Sequence, residues 1–266
     1  MLCYAYTAYK NYAKFSLMKR TLLFLIAAVI LSNAGAQDSL QRKSIYKYRL
    51  GVDIPIGLLS AGFGLGGLIK YKKNKPLSVD VINALKPSDV NKFDRYAIYQ
   101  HSKPAAISSD VFQYTAMVSP AFLFIDKEIR QDWKTVLPIW METFAITTTL
   151  TMFTKEMVRR KRPYVYRDEY KGNEVGKSAT ASFFSGHTSI TAASTYFIAM
   201  VYSDYHPHSR FKPLVWTGAA VLPALTALTR VKAGKHYWTD VITGYAVGAL
   251  VGTLTPFLHR RDFRRK

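Results

Sequence analysis

The chain has 266 residues, of which 49% are hydrophobic, and it carries 37 Lys and Arg residues against 17 Asp and Glu residues. The hydrophobic content excludes an intrinsically disordered chain, and the formal charge of +20 favours an anionic partner. The sequence shows no zinc-ligand spacing and no RNA-binding signature, so we expect no nucleic-acid partner. The single cysteine, Cys3, excludes a disulfide framework and a cysteine nucleophile in the body of the chain.

The N-terminal region has the layout of a targeting segment. Residues 18–36 read MKRTLLFLIAAVILSNAGA, with a basic start, an apolar run and a small-residue end. This order is typical of a secretory signal peptide, and an uncleaved membrane anchor is the alternative. We interpret residues 1–17 as an upstream extension, so the exported chain would begin near Gln37. The remainder is divided into an N-terminal region of helices and loops (37–104), a main domain (105–258) and a basic tail (259–266).

Apolar segments recur from residue 51 onward, and none shows the strict alternation of a β-strand. We therefore predict an all-α fold, a helical bundle of about six core helices. A membrane-embedded bundle is favoured, but a soluble periplasmic bundle is the alternative, because a span needs about 20 apolar residues and some segments are shorter. The segments are 51–69, 111–125, 135–153, 189–202, 213–228 and 241–258.

Two of these segments contain residues that disfavour a membrane crossing. The segment 51–69 contains six glycines, Asp53 and Pro55, and we predict that it packs without crossing. Glu142 interrupts the segment 135–153. The basic residues after 258 favour a cytoplasmic C-terminus if 241–258 crosses, which predicts an inner-membrane protein whose pocket faces the periplasm.

The first motif is a basic run, KEMVRRKRP, at 155–163. Lys155, Arg159 and Arg162 stand at i, i+4 and i+7, which predicts one helical face, and Pro163 is expected to end the helix. A basic collar beside a membrane segment is the alternative interpretation.

The second motif, SFFSGHTS, lies at 182–189. Ser185 is predicted to be a helix N-cap, Gly186 allows the backbone to approach a ligand, and His187 begins an apolar helix. The N-terminus of a helix binds anions through its free N–H groups. By itself, however, Ser-Gly-His is too common to indicate a function.

The third motif, TRVKAGKHYWTD, lies at 229–240. Arg230 offers a planar set of donors suited to phosphate. If His236 and Asp240 stand at i and i+4 on one helix, the carboxylate faces the imidazole and orients it. A purely structural His–Asp pair near a helix start is the alternative.

In this order, Lys-x6-Arg-Pro, Ser-Gly-His and Arg-x5-His-x3-Asp resemble the phosphatidic acid phosphatase type 2 (PAP2) superfamily. That family includes lipid phosphatases, bacterial acid phosphatases and vanadium haloperoxidases. Two flanking residues depart from the family pattern and bear on substrate fit or rate: Phe184 stands where proline is usual, and Thr229 where serine is usual.

The resemblance implies a two-step phosphoryl transfer without metal or cofactor. His236 is the expected nucleophile, Asp240 orients it, and His187 is the expected acid and later base. The groups implied to hold the phosphate oxygens are Lys155, Arg162, Ser185, Gly186 and Arg230.

The resemblance leaves several functions open. The favoured one is a metal-independent phosphatase acting on a phosphorylated lipid or another phosphate ester. The alternatives are a vanadium-dependent haloperoxidase, a soluble periplasmic acid phosphatase and a non-catalytic membrane protein whose basic loops bind anionic lipids. The histidines outside the motifs are expected at the surface or at an interface; these are His101, His206, His208 and His259.

Overall fold

The computed structural model describes residues 44–261. Within this range every regular element is a helix, and the only β-type pairings are two isolated bridges. The predicted all-α fold is therefore confirmed. The predicted upstream extension (1–17) and signal peptide (18–36), together with most of the basic tail, lie outside the described residues.

Six long helices in the described range match the expected number of core helices. They are α1 (Leu50–Lys73), α4 (Lys103–Val118), α6 (Trp133–Val158), α7 (Gly186–Tyr205), α8 (Lys212–Lys232) and α9 (Trp238–Leu258). Shorter helices are α2 (Val79–Ala84), α3 (Lys92–Arg95) and α5 (Lys127–Gln131). Short 3-10 helices cover Pro87–Asp89, Tyr96–Tyr99, Ser119–Ile125, Pro163–Tyr166, Asp168–Tyr170 and Lys177–Thr180.

Helix α7 forms the centre of the bundle and packs against α4, α6, α8 and α9. Its contact with α9 is unusually close, because α9 presents a stripe of glycines to it. A Cβ atom built on Gly244 would lie 2.6 Å from the Ser185 carbonyl oxygen, and one built on Gly248 would collide with the Ser189 carbonyl oxygen. Only glycine fits such an approach. The two parallel helices therefore start side by side at one end of the bundle.

Four described helices, α1, α6, α8 and α9, are long and apolar enough to cross a membrane. Large apolar side chains on their outer faces are exposed, such as Leu58 and Phe63 on α1 and Leu250 on α9. Such faces are typical of contact with lipid tails. The protein is membrane-embedded.

Helix α1 contains the segment 51–69, whose packing without a crossing stays a prediction. It is a single 24-residue helix of sufficient length and hydropathy to cross. Its glycines do not break it, because some of them face α6: a Cβ on Gly67 would lie 3.5 Å from Met152 Cβ, and one on Gly64 would lie 3.2 Å from Thr149 Oγ1. Asp53 lies in the first turn and is buried. The polar and small residues thus serve packing within the bundle.

The ends of α1 are fixed at opposite ends of the bundle. Before its start, Lys47 N–H donates to the His259 carbonyl, 2.8 Å away, just after α9. After its end, the Asn74 side-chain amide donates to the Glu156 carboxylate at 2.9 and 3.0 Å, near the end of α6. We call the end with Glu156 the motif end, since the three motifs lie there, and the end with His259 the far end.

Candidate active site

The first motif follows a helix that ends earlier than predicted. Helix α6 stops one residue before Arg159, which adopts a left-handed conformation with φ of 47°, as residues that close helices often do. Lys155, Arg159 and Arg162 therefore do not share one helical face, and the helix end predicted at Pro163 is wrong. The chain after Arg159 runs beside the second motif, where Arg162 N–H donates to the Ala179 carbonyl at 2.8 Å.

Lys155 and Arg162 nevertheless reach the same point. Lys155 Nζ and Arg162 Nη2 both donate to the carbonyl oxygen of Ala181, at 2.7 and 3.2 Å. Arg162 Nη1 also reaches the carbonyl oxygen of Lys235, 3.5 Å away, in the loop just before His236. The two cations of the first motif thus lie against both the second motif and the third.

The second motif forms the N-terminus of α7, as predicted. Ser185 is its N-cap, with Oγ accepting the N–H of Thr188 at 3.4 Å. A Cβ on Gly186 would lie 3.1 Å from Thr151 Cγ2 and 4.0 Å from Lys155 Cε. The free N–H groups of this helix start are therefore next to the Lys155 side chain, an arrangement suited to an anion.

The third motif brings His236 and Asp240 together by a different geometry from the one predicted. Helix α9 begins at Trp238, so the two residues do not form an i, i+4 pair within one helix. The Asp240 Oδ2 atom accepts the Tyr237 N–H at 2.9 Å and lies 3.5 Å from His236 Nδ1. His236 Nε2 is left as the nitrogen available to a ligand. Ser185 N–H donates to the Asp240 main-chain carbonyl at 3.0 Å, which joins the second and third motifs.

Arg160 holds the Asp240 carboxylate, and the sequence analysis did not single it out. Its Nη1 donates to Asp240 Oδ1 at 2.6 Å, and its Nη2 donates to Asp94 Oδ2 at 2.8 Å. Asp94 also accepts the N–H and the hydroxyl of Thr239, at 3.0 and 2.7 Å. Burial opposes the charged form of Asp94, but these hydrogen bonds keep its pKa below the usual value. Arg160 therefore compensates two buried carboxylates, those of Asp94 and Asp240, the second of which faces His236.

Asp110, on α4, is a second residue that the sequence analysis missed. Its Oδ1 atom lies 2.8 Å from His187 Nε2 and 3.6 Å from Arg230 Nη1. Arg230 is 5% exposed and donates to Ser109 Oγ at 3.2 Å, but its Nε makes no hydrogen bond with any described residue. A buried guanidinium N–H without an acceptor is costly. This geometry points to an anion as its partner.

The charges of the pocket set the protonation of its histidines. Burial lowers the pKa of His236 well below its usual value, and the neighbouring cations, Arg162 first among them, lower it further. His236 is therefore neutral at pH 7, the form that acts as a nucleophile. Burial also lowers the pKa of His187, to about 4, although the Asp110 carboxylate opposes this shift. A bound anion would raise both pKa values, because it favours the charged imidazolium.

We expect Asp110→Asn to lower kcat/KM at pH 7 about tenfold. The pH at which kcat/KM begins to fall as pH rises should also be lower in the variant than in the wild type. In the role expected for His187, that of an acid, the ring must be protonated. It loses its proton as pH rises through its pKa, and Asp110 raises that pKa. The measurement is kcat/KM against pH for both proteins. Asp126→Asn is the matched control, because Asp126 pairs with His206 at 3.0 Å at the far end. An unchanged profile in Asp110→Asn would contradict the assignment.

A comparison with known families agrees with this geometry. Residues 139–264 match the PAP2 superfamily, and this stretch contains all three motifs. This stretch is similar to PAP2 domains. All eight site residues predicted from the sequence lie in the matched range: Lys155, Arg162, Ser185, Gly186, His187, Arg230, His236 and Asp240. Asp94 and Asp110 contact the site from outside the matched range.

Several relatives are similar to parts of the chain. A putative phosphatidate phosphatase of Drosophila melanogaster is 34% identical over 102 residues, which cover 32% of this chain and 25% of the relative. Phospholipid phosphatase 2 of Rattus norvegicus is 28% identical over 141 residues, which cover 45% of this chain and 51% of the relative. The chain thus spans about half or less of the length of these relatives.

One solved structure resembles the chain along most of its length. It is the first transmembrane PAP2 type phosphatidylglycerolphosphate phosphatase from Bacillus subtilis. The two share 18% sequence identity with a TM-score of 0.42, covering 94% of this chain and 98% of that one.

Proposed function

We propose that the PAP2 domain is a metal-independent phosphatase that hydrolyses a phosphomonoester or diphosphate through a phosphohistidine at His236. The observation that carries this proposal is the buried Arg230, whose Nε finds no acceptor among the described residues. It stands near two further cations, Lys155 and Arg162, while the nearby Asp240 is already paired with Arg160. The pocket therefore has an excess of positive charge, which a bound anion would neutralise.

In the first step, His236 Nε2 attacks phosphorus, and the bond from phosphorus to the leaving oxygen breaks. Asp240 faces Nδ1 and stabilises the positive charge that develops on the ring. His187, protonated when the phosphate is bound, gives its proton to the leaving oxygen. Asp110 orients His187 through its Nε2 contact at 2.8 Å.

In the second step, water attacks the phosphohistidine and His187, now neutral, accepts the proton from that water. Phosphate leaves and His236 returns to its neutral form. In both steps negative charge gathers on the equatorial oxygens of the transferred group. The donors for these oxygens are the side chains of Lys155, Arg162, Ser185 and Arg230 and the N–H of Gly186, and they supply electrostatic stabilisation.

We infer that the substrate is a lipid or lipid-linked phosphate. Two observations support this class. The pocket lies at one end of a bundle whose outer faces expose large apolar side chains. The phosphate of a lipid in the surrounding membrane would lie at the membrane surface, at the same height as the pocket. The similar proteins of Drosophila melanogaster and Rattus norvegicus are named as phosphatases of phosphatidate and of phospholipids.

The test is phosphate release by purified protein from a panel of phosphorylated lipids, with a soluble phosphomonoester as comparison. We expect phosphate release to continue in the presence of EDTA. We expect vanadate to inhibit it, because vanadate mimics the geometry of the phosphoryl group in the transition state. Loss of activity in EDTA that magnesium restores would contradict the metal-independent mechanism. Faster turnover of the soluble ester would assign an acid phosphatase, and halide oxidation with vanadate and peroxide would assign a haloperoxidase.

We infer further that the pocket opens to the periplasm. The basic residues that follow α9, including Arg260 and Arg261, lie at the far end, and clusters of this kind favour the cytoplasmic side. The segment 44–49 lies at the same end, since Arg261 N–H donates to the Ile45 carbonyl at 3.1 Å. If α1 crosses, a periplasmic pocket therefore requires a cytoplasmic 44–49. Signal cleavage near residue 36 would place 44–49 outside, whereas these contacts hold it at the far end. Cleavage therefore agrees with a periplasmic pocket only if the helices that end there, α9 included, do not cross.

Single cysteines at Lys171 and Arg264, in a background where Cys3 is replaced by serine, test this orientation. Lys171 lies at the motif end, where its Nζ donates to the Leu85 carbonyl at 3.0 Å. In intact spheroplasts, a membrane-impermeant thiol reagent is expected to label position 171 and not position 264. Labelling of 264 alone would overturn the orientation. Labelling of both positions would keep a periplasmic pocket but exclude the crossing by α9.

A further inference from the structure

A buried cluster of three titratable side chains lies at the far end, away from the phosphate pocket. Asp53 on α1, Glu142 on α6 and His259 just after α9 are only 3%, 7% and 5% exposed. His259 was expected at a surface or an interface, and that prediction is wrong. Glu142, which interrupts an apolar segment in the sequence, points inward to the same cluster.

The donor atoms of the cluster converge without forming hydrogen bonds to one another. His259 Nε2 lies 3.1 Å from Asp53 Oδ1 and 3.3 Å from Glu142 Oε2. Among the described residues, neither His259 Nε2 nor Glu142 Oε2 has a hydrogen-bond partner. One atom from each side chain lies within 4.8 Å of the other two. Two buried side chains thus direct unpartnered polar atoms at one point.

No Lys or Arg side chain compensates the charge of the cluster. Over residues 44–261, none makes a salt bridge with Asp53 or Glu142. Asp53 Oδ2 accepts the Arg49 N–H, but two carboxylates taken out of water without a Lys or Arg partner are costly. A bound cation would stabilise both at once.

The imidazole of His259 is oriented as a metal ligand. Its Nδ1 lies 2.7 Å from the Thr255 carbonyl oxygen, which requires a proton on Nδ1. In the neutral imidazole the Nε2 lone pair then faces the carboxylates. Donors about 2.0–2.2 Å from a tetrahedral zinc ion stand about 3.3 Å apart. The distances of 3.1 and 3.3 Å around Nε2 fit that spacing.

We propose that Asp53, Glu142 and His259 form a structural site for one divalent transition-metal ion, zinc being the best fit. One imidazole nitrogen and two carboxylate oxygens are ligands that zinc accepts. The ion would join α1, α6 and α9 at the far end. The 21 residues of α9 (Trp238–Leu258) place this site about 30 Å from the phosphate pocket, so the ion takes no part in phosphoryl transfer.

The first experiment measures metal content. The full chain, purified in detergent without a histidine tag and without chelator, is expected to contain about one zinc ion per chain. Glu142→Gln keeps the shape of the side chain but removes its charge, and it is expected to lower the content at least about tenfold. His206→Ala is the matched control, because His206 contacts a single carboxylate, that of Asp126, and it should retain the metal.

The second experiment uses the wild-type protein alone, so it does not depend on the folding of a variant. After slow removal of metal by prolonged chelation, adding Zn²⁺ alone is expected to raise Tm by about 5–10 °C. Full metal content in Glu142→Gln, or a wild-type protein that neither contains zinc nor responds to it, would overturn the proposal. In the latter case a doubly protonated His259 would hold the two carboxylates. Phosphate release by metal-loaded protein is measured separately, so a failure of the phosphatase assignment would be recognised as such.

Discussion

Replacing His236 with alanine is expected to abolish turnover, with kcat falling by about 10⁴-fold or more. His236 is fully enclosed, and it stands where Lys155, Arg162 and Arg230 surround it with positive charge. The other histidine of the pocket, His187, is held by Asp110 on α4 and cannot replace it as the nucleophile. The measurement is phosphate release together with acid trapping of the enzyme during turnover.

The trapped phosphoenzyme distinguishes loss of the nucleophile from loss of the fold. Wild-type protein is expected to retain acid-labile phosphate, and His236→Ala is expected to retain none while keeping a native helical spectrum. His206→Ala removes a histidine of similar type from the far end and should behave as wild type. Phosphate release at the wild-type rate by His236→Ala would refute the mechanism.

Asp240→Asn is expected to lower kcat by about 10³–10⁴-fold with little change in KM, the size of effect seen when the orienting carboxylate of a His–Asp pair becomes an amide. The Asp240 carboxylate faces His236 Nδ1 at 3.5 Å and accepts hydrogen bonds from Arg160 and the Tyr237 N–H. An amide in its place cannot stabilise the charged imidazole and leaves Arg160 with a weaker partner.

The split between kcat and KM separates this role from a purely structural one. In the proposed mechanism the substrate phosphate is held mainly by Lys155, Arg162 and Arg230, so its binding should survive in Asp240→Asn. Asp126→Asn, which changes the equivalent His–Asp contact at the far end, should leave both constants unchanged. A variant with lower Tm but wild-type kcat would show that Asp240 only supports the fold.

The parts of the site that could be predicted from sequence are those with local signals. Ser185 precedes an apolar helix and caps it as its type and position predict. The spacing between His236 and Asp240 correctly indicates a pair. The start of α9, which lies between them, could not be predicted from the sequence. It depends on Asp240, the third residue of α9, accepting the Tyr237 N–H.

The missed residues act through tertiary contacts. Asp110 lies 77 positions before His187, and Asp94 lies 66 positions before Arg160, so no spacing in the sequence links either pair. Arg160 was one basic residue in a run of several, and only its contact with Asp240 distinguishes it.

The role of the glycines in α1 also depends on tertiary contacts. Composition alone does not show whether small residues in an apolar segment let the helix approach a neighbour. Gly67 lies against Met152 of α6, which is such an approach.

The close approach of α7 and α9 has a consequence for how the pocket works. Gly248 leaves no room between the helices, and the Ser185 N–H is bonded to the Asp240 carbonyl at their starts. A Cβ atom on Gly252 would likewise collide with the Ala193 carbonyl oxygen, so the two helices stay at the same close distance over more than two turns. In the proposed mechanism, the leaving-group side at His187 and the attacking side at His236 therefore belong to one closely packed unit. Admission and release of substrate are then expected to depend on segments outside this pair, such as residues 74–102.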